Sequence, residues 1–267
     1  MKKTFPFIIA LGLFVLTSCN NGPGTTGKTD SIPPAKTGFE NSPLKITAMP
    51  PSAEMPDAEV TLTSPDLSQT LKAGKTKFTF ALKGFEMGKN TDGYDKTGLA
   101  NSSMGQHLHV ILDNEPYMAH NTPEVELELT EGWHTLVVFP SRSWHESVKS
   151  PKAGFIKKFK VGTPKNTEPD ITQPMIVYSR PKGKYSTPAE TKKVMLDWYL
   201  FNCTLNEGGY FVRATINSQV FKYYKWEPLE MEGLAFGDNV VFLELKDKDD
   251  KNVPGEYNST RRNFQVE

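Results

Sequence analysis

The chain has 267 residues with 31 basic and 31 acidic side chains, so its formal net charge is zero. That balance gives no electrostatic case for nucleic acid or an anionic surface as a partner. Two cysteines are too few for a disulfide-built scaffold, so stability has to come from packed apolar cores.

Taken in order, the chain opens with Met1-Lys2-Lys3, a short apolar run over residues 5–16, and then Thr17-Ser18-Cys19. This is the charged, apolar and small-residue sequence of an export signal, and its apolar part is too short to span a bilayer as a helix. Leu16-Thr17-Ser18-Cys19 resembles the bacterial lipobox. That resemblance implies a signal peptide over residues 1–18, removed to leave Cys19 as the lipid-modified first residue of the mature protein. Asn20 follows in place of an acidic residue, and the sorting habits of such lipoproteins then point to the outer membrane, periplasmic side. Residues 19–57 are rich in Gly, Pro, Thr, Ser and Lys and read as the lipidated cysteine with a flexible linker. With Cys19 acylated, Cys203 has no cysteine partner within the chain and reads as a small buried hydrophobe.

From Val60 onward, short β-branched and aromatic runs alternate with a period of two and are broken by Gly, Pro, Asn or Asp, as in a sandwich. Lys77-Phe-Thr-Phe-Ala-Leu82 is one such run, and residues 107–112, 125–129, 135–139 and 155–161 are others. Only residues 188–194 carry a short helical stripe. The two halves repeat. Val137-Val-Phe139 matches Val240-Val-Phe242, Leu112-Asp-Asn114 matches Ile216-Asn-Ser218, and Val60-Thr-Leu-Thr-Ser-Pro65 matches Ile176-Val-Tyr-Ser-Arg-Pro181. A repeat unit of roughly 100 residues with about seven strands predicts an all-β chain of two tandem immunoglobulin-like β-sandwich domains. They are expected at residues 58–162 and 174–267, with a Pro-rich linker at 163–173. The first copy carries extra residues within 88–104.

All five histidines, His107, His109, His120, His134 and His145, fall in the first copy. Residues two apart on a strand share a face, about 6.6 Å apart along it, so His107 and His109 are neighbours. Aligning the repeats puts Leu108, Val110 and Leu112 on the core face and the histidine pair outward or at the rim. Two imidazoles so placed can ligate Cu or Zn if further ligands approach. His120, His134 and His145 are the candidates, with Met104, Met118, Asp113 and Glu146 behind them. The same alignment turns His134 toward the sandwich interior. Arg142, with Trp144 and Glu146, is a second candidate group for a small polar or anionic ligand.

Gly105-Gln-His-Leu-His-Val-Ile-Leu-Asp113, Gly132-Trp-His-Thr-Leu136 and Trp144-His-Glu146 together resemble a group of uncharacterised bacterial envelope lipoproteins with a Gly-x-His-x-His strand in an immunoglobulin-like domain. The likeness covers about 40 residues, and Leu108 stands where that group has a further histidine. It implies a sandwich domain with a His-lined site and brings no assigned chemistry.

Ser141, Ser143, His145 and Asp113 supply hydrolase residue types, but no nucleophile elbow surrounds them, so the chain is expected not to be an enzyme. In the second copy Tyr223, Tyr224 and Trp226, set among Lys222 and Lys225, suggest an exposed aromatic strip for envelope protein or glycan. The sequence therefore predicts a membrane-anchored binding lipoprotein, taking a transition metal or a small polar or anionic ligand at its histidines. The alternative is a metal-free structural or adhesion module acting through the second copy.

Overall fold

The computed structural model describes residues 43–150 and 152–267, so the export signal, Cys19 and most of the expected linker lie outside the described residues. The first sandwich faces a sheet of β2 (Glu59–Ser64), β3 (Gly74–Lys83) and β6 (Glu124–Leu129) against one of β5 (Met118–His120), β4 (His107–Leu112), β7 (Gly132–Ser141) and β8 (Phe155–Val161). Alternation makes this possible. In Glu124-Val-Glu-Leu-Glu-Leu129 every second residue is buried, and Val125, Leu127 and Leu129 meet Phe78, Leu108, Val110, Leu136 and Val138 in one core.

The second sandwich repeats the plan. β9 (Met175–Arg180), β11 (Val194–Phe201) and β14 (Leu229–Glu232) form one sheet. β10 (Gly183–Tyr185), β16 (Ser259–Val266), β15 (Gly237–Lys246), β12 (Phe211–Ile216) and β13 (Gln219–Tyr223) form the other. The strand orders β2-β3-β6 and β9-β11-β14 correspond, as do β5-β4-β7-β8 and β13-β12-β15-β16, so the chain is two immunoglobulin-like sandwiches in tandem. The matched Pro65 and Pro181 both follow cis peptide bonds. One detail of the sequence alignment shifts: Val110 pairs with Val138 and its counterpart Ala214 with Leu243, two residues beyond the aligned Val241. A shift of two preserves which side chains face inward.

Three expectations need correction. The flexible linker does not run to residue 57, because β1 (Lys45–Ala48) adds antiparallel to β14 and extends the second sandwich, with Leu44 and Ile46 against its core. The stripe at residues 188–194 forms turns and the start of β11, not a helix. The sandwiches are also joined by more than the Pro-rich linker at 163–173. The faces of β4 and β7 turned away from the first core carry Ile111, Val137 and Phe139. These pack against Met175, Val177 and Tyr199 on the faces of β9 and β11 turned away from the second core. Phe139 and Tyr199 stack with ring centroids 4.7 Å apart. A third apolar layer thus joins the domains, and it covers the strand face that carries His107 and His109.

Candidate metal centre

Strand alternation puts His107 and His109 on the face of Ile111, and that face is the domain junction. Both rings are buried, at 1% and 0% exposure, so the expected outward or rim position is wrong. The repeat alignment fixed the face correctly, but a second sandwich covers it. His145 arrives from the other direction. After β7 the chain turns back at an isolated bridge between Ser141 and Ser147, and the Arg142 N–H closes the turn on the Glu146 carbonyl at 2.8 Å. At its apex His145 adopts a left-handed backbone, φ 71°, which costs a residue with a Cβ of order 1 kcal/mol. The extra loop of the first copy holds this turn: Ser143 exchanges hydrogen bonds with Thr91, and the Ser102 N–H donates to the Ser143 carbonyl at 2.7 Å.

Three ring nitrogens meet as a result. His107 Nε2 lies 3.1 Å from His109 Nε2 and 3.0 Å from His145 Nδ1, and the three donor atoms lie within 4.8 Å of one another. The protons can be followed around this contact. His107 Nδ1 donates to the Gly105 carbonyl at 2.8 Å, which leaves its Nε2 as a bare lone pair. The Ser179 hydroxyl lies 3.3 Å from His109 Nδ1; where it donates to that nitrogen, the ring proton of His109 sits on Nε2, and where it accepts, His109 Nε2 faces His107 Nε2 as a second bare lone pair. One lone pair on His107 then faces two nitrogens and can accept from only one of them. Extra protons do not resolve the conflict, because burial depresses the pKa of all three rings, with Arg180 adding to the effect at each. A metal ion does resolve it. Two nitrogens each about 2.0–2.1 Å from one ion stand roughly 3.3–3.6 Å apart, a few tenths of an ångström wider than these contacts.

The surroundings hold the rings in place. His109 stacks on Tyr117 with centroids 3.6 Å apart and meets the edge of Phe139 at 5.4 Å. The Gly105 carbonyl orients His107 in the way outer-shell partners orient metal-binding imidazoles. Of the three, only His145 is partly exposed.

The other candidates lie elsewhere. His134 shares the inward face of β7 with Leu136 and stacks on Phe159; its nitrogens are engaged by Asp113 at 2.6 Å and the Thr130 carbonyl at 2.8 Å, which leaves none for a metal. His120 pairs across the ladder with Leu108 and so belongs to the opposite face of the sheet from His107 and His109. Met118 pairs with Val110 on that same opposite face, and Met104 is exposed. Arg142, Trp144 and Glu146 form a buried cluster of their own. Trp144 Nε1–H donates to Glu146 at 2.8 Å, the Ser52 hydroxyl donates to Glu146 at 2.6 Å, and Arg142 lies 3.5 Å from Glu146 and bonds the Ala53 carbonyl.

The aromatic strip expected in the second copy is not exposed. Trp226 Nε1–H donates to the Trp198 carbonyl at 2.9 Å and its ring meets Tyr199 edge-on, while Tyr223 packs on Trp198 and Tyr224 on Phe211. The sequence reading missed Tyr117, Ser179 and Arg180 around the centre. A signal for the covered face was there: Met195-Leu-Asp-Trp-Tyr-Leu200 and Leu136-Val-Val-Phe139 do not alternate, and strands that are apolar on both faces are buried on both.

No protein-family model matches the chain, and no curated protein matches it. Among solved structures it resembles the fibronectin(III)-like modules of CbhA from Clostridium thermocellum, at 12% identity and TM-score 0.26 over 78% of this chain and 92% of that one. It also resembles SGBP-B of the Bacteroides ovatus mixed-linkage glucan utilization locus, in complex with a heptasaccharide, at 9% identity and TM-score 0.22 over 78% and 70%. A Ca2+-stabilised, ice-binding adhesin of an Antarctic bacterium follows at 10% identity and TM-score 0.22 over 80% and 49%. No ligand passes from these proteins to this one.

Proposed function

We propose that this chain is a lipid-anchored envelope protein, non-enzymatic, that binds one transition metal ion through His107, His109 and His145. The observation that carries the reading is the meeting of three imidazole nitrogens at His107 Nε2, where one lone pair is shared between two neighbours. Imidazole suits copper and zinc, and burial keeps the rings neutral, the form in which they ligate. Anchorage through Cys19 on the periplasmic side of the outer membrane is part of the proposal and rests on the sequence of the first twenty residues.

The test is metal content and thermal stability of the chain from residue 20 onward, after stripping and reloading with Cu or Zn. One equivalent is expected in the wild type and none in the His107→Ala/His109→Ala double variant. Metal at 1,000 times its Kd adds about 4 kcal/mol, a rise in Tm on the order of 10 °C for a chain of this size. Equal, metal-independent melting of the two proteins sinks the reading. The second reading, a module recognising envelope protein or glycan without metal, would then stand. Glycan-binding and adhesin modules are among the proteins of similar fold, though Tyr223, Tyr224 and Trp226 are half-buried and packed on Trp198, Phe211 and Tyr199, so the exposed strip on which that reading relied is not formed.

A further inference from the structure

The charges around the three histidines discriminate between ions, an inference that rests on the metal-binding reading above. Every ligand is a neutral imidazole, and no carboxylate among the described residues joins them. The nearby carboxylates are occupied: Asp197 accepts from Lys149 at 2.5 Å and from the Ser147 N–H at 3.1 Å, and Glu146 is held by Trp144 and Ser52. The charged groups left beside the centre are cations. The guanidinium of Arg180 lies 5.6 Å and the ammonium of Lys182 4.4 Å from the ring centroid of Tyr117, the ring that stacks on His109. Arg180 donates to the Tyr185 hydroxyl at 3.0 Å and the Lys182 carbonyl at 3.3 Å, and Lys182 to the Tyr117 carbonyl, so their hydrogen bonds leave both charges uncompensated.

We infer that the centre takes monovalent copper, Cu(I), in preference to zinc or divalent copper. Repulsion from fixed cations is proportional to the charge of the ion, and the cost of burying an ion grows with the square of its charge, so both terms penalise a dication more. Coordination points the same way. A three-histidine zinc site keeps a fourth position for water and Cu(II) favours tetragonal surroundings. Here aromatic rings of Tyr117 and Phe139 pack against His109. A closed-shell monovalent ion is satisfied by three nitrogens in a trigonal arrangement.

The experiment titrates the chain from residue 20 onward with Cu(I) against bicinchoninate under anaerobic reducing conditions, and with Zn(II) against a zinc-chelating dye. Wild-type protein is expected to bind Cu(I) about 100-fold or more tightly than Zn(II). Lys182→Met should raise both affinities unequally, about threefold for Cu(I) and about tenfold for Zn(II), since the repulsion removed doubles with the charge of the ion. Zinc binding as tight as Cu(I), or equal changes in the variant, would each overturn the preference and leave the metal site standing. Failure of the wild type to bind either ion overturns the site itself. The wild-type comparison holds whether or not the variant folds.

Discussion

His107, His109 and His145 differ from ordinary histidines because the fold removes water from them. Their folded pKa values lie below the usual 6.5, with burial as the main cause and the Arg180 charge acting on all three. For a group whose folded pKa is depressed, the unfolded chain binds more protons, so the contribution to stability is complete only well above about pH 6.5 and is lost as the pH falls through and below it. Each ring can add a slope of at most about 1.4 kcal/mol per pH unit. Urea unfolding of the metal-free protein at pH 7.5, 6.5 and 5.5 should therefore show a small fall over the first interval and one about three times larger over the second. His145→Asn, which tolerates the left-handed backbone, should show a shallower fall. A flat wild-type profile would mean that the rings are hydrated.

At the scale of elements, legibility followed the burial of one face. Residues 77–82, 107–112, 125–129, 135–139 and 155–161 were readable as strands because one side of each meets a core, and all lie in β3, β4, β6, β7 and β8. β1 was hidden for the opposite reason. Lys45-Ile-Thr-Ala48 is too short to alternate audibly among prolines and serines, and its partner β14 lies far along the chain, so only tertiary pairing makes it a strand. The same limit applied to the metal centre. The His107–His109 pair could be read from spacing, but His145 joins through a turn, and Ser179 and Arg180 come from the other sandwich. The role of β1 can be tested. Ile46 packs on the second core, so Ile46→Asp should cost about 2–3 kcal/mol in urea unfolding. Lys45→Asp, at an exposed position of the same strand, should stay within about 0.5 kcal/mol of wild type. Equal, small effects would show that β1 contributes little to the fold.

Across the whole molecule the two sandwiches act as one body because the layer between them is built like a core. Stacked Phe139 and Tyr199 lie at its centre, and the Lys149–Asp197 ion pair and the Ser179–His109 contact tie the two sides together nearby. The connector is fastened as well, with Asn166 exchanging hydrogen bonds with the Trp133 backbone and Asn202 donating to the Ile171 and Gln173 carbonyls. Calorimetry should then show one cooperative transition. Gly154 offers a way to perturb the layer without touching a ligand. A Cβ there would sit 2.8 Å from the Phe139 Cβ and 2.9 Å from Tyr199 Cζ, closer than packed atoms allow, so the stacked pair has to shift. Gly154→Ala should cost about 1–3 kcal/mol. Phe139 also forms a wall of the His109 ring, so the shift should weaken metal binding, by about tenfold if it takes 1.4 kcal/mol from the bound state. Stability lost with full metal affinity would show that the centre is held by the first sandwich alone, and that the second serves only to keep water out.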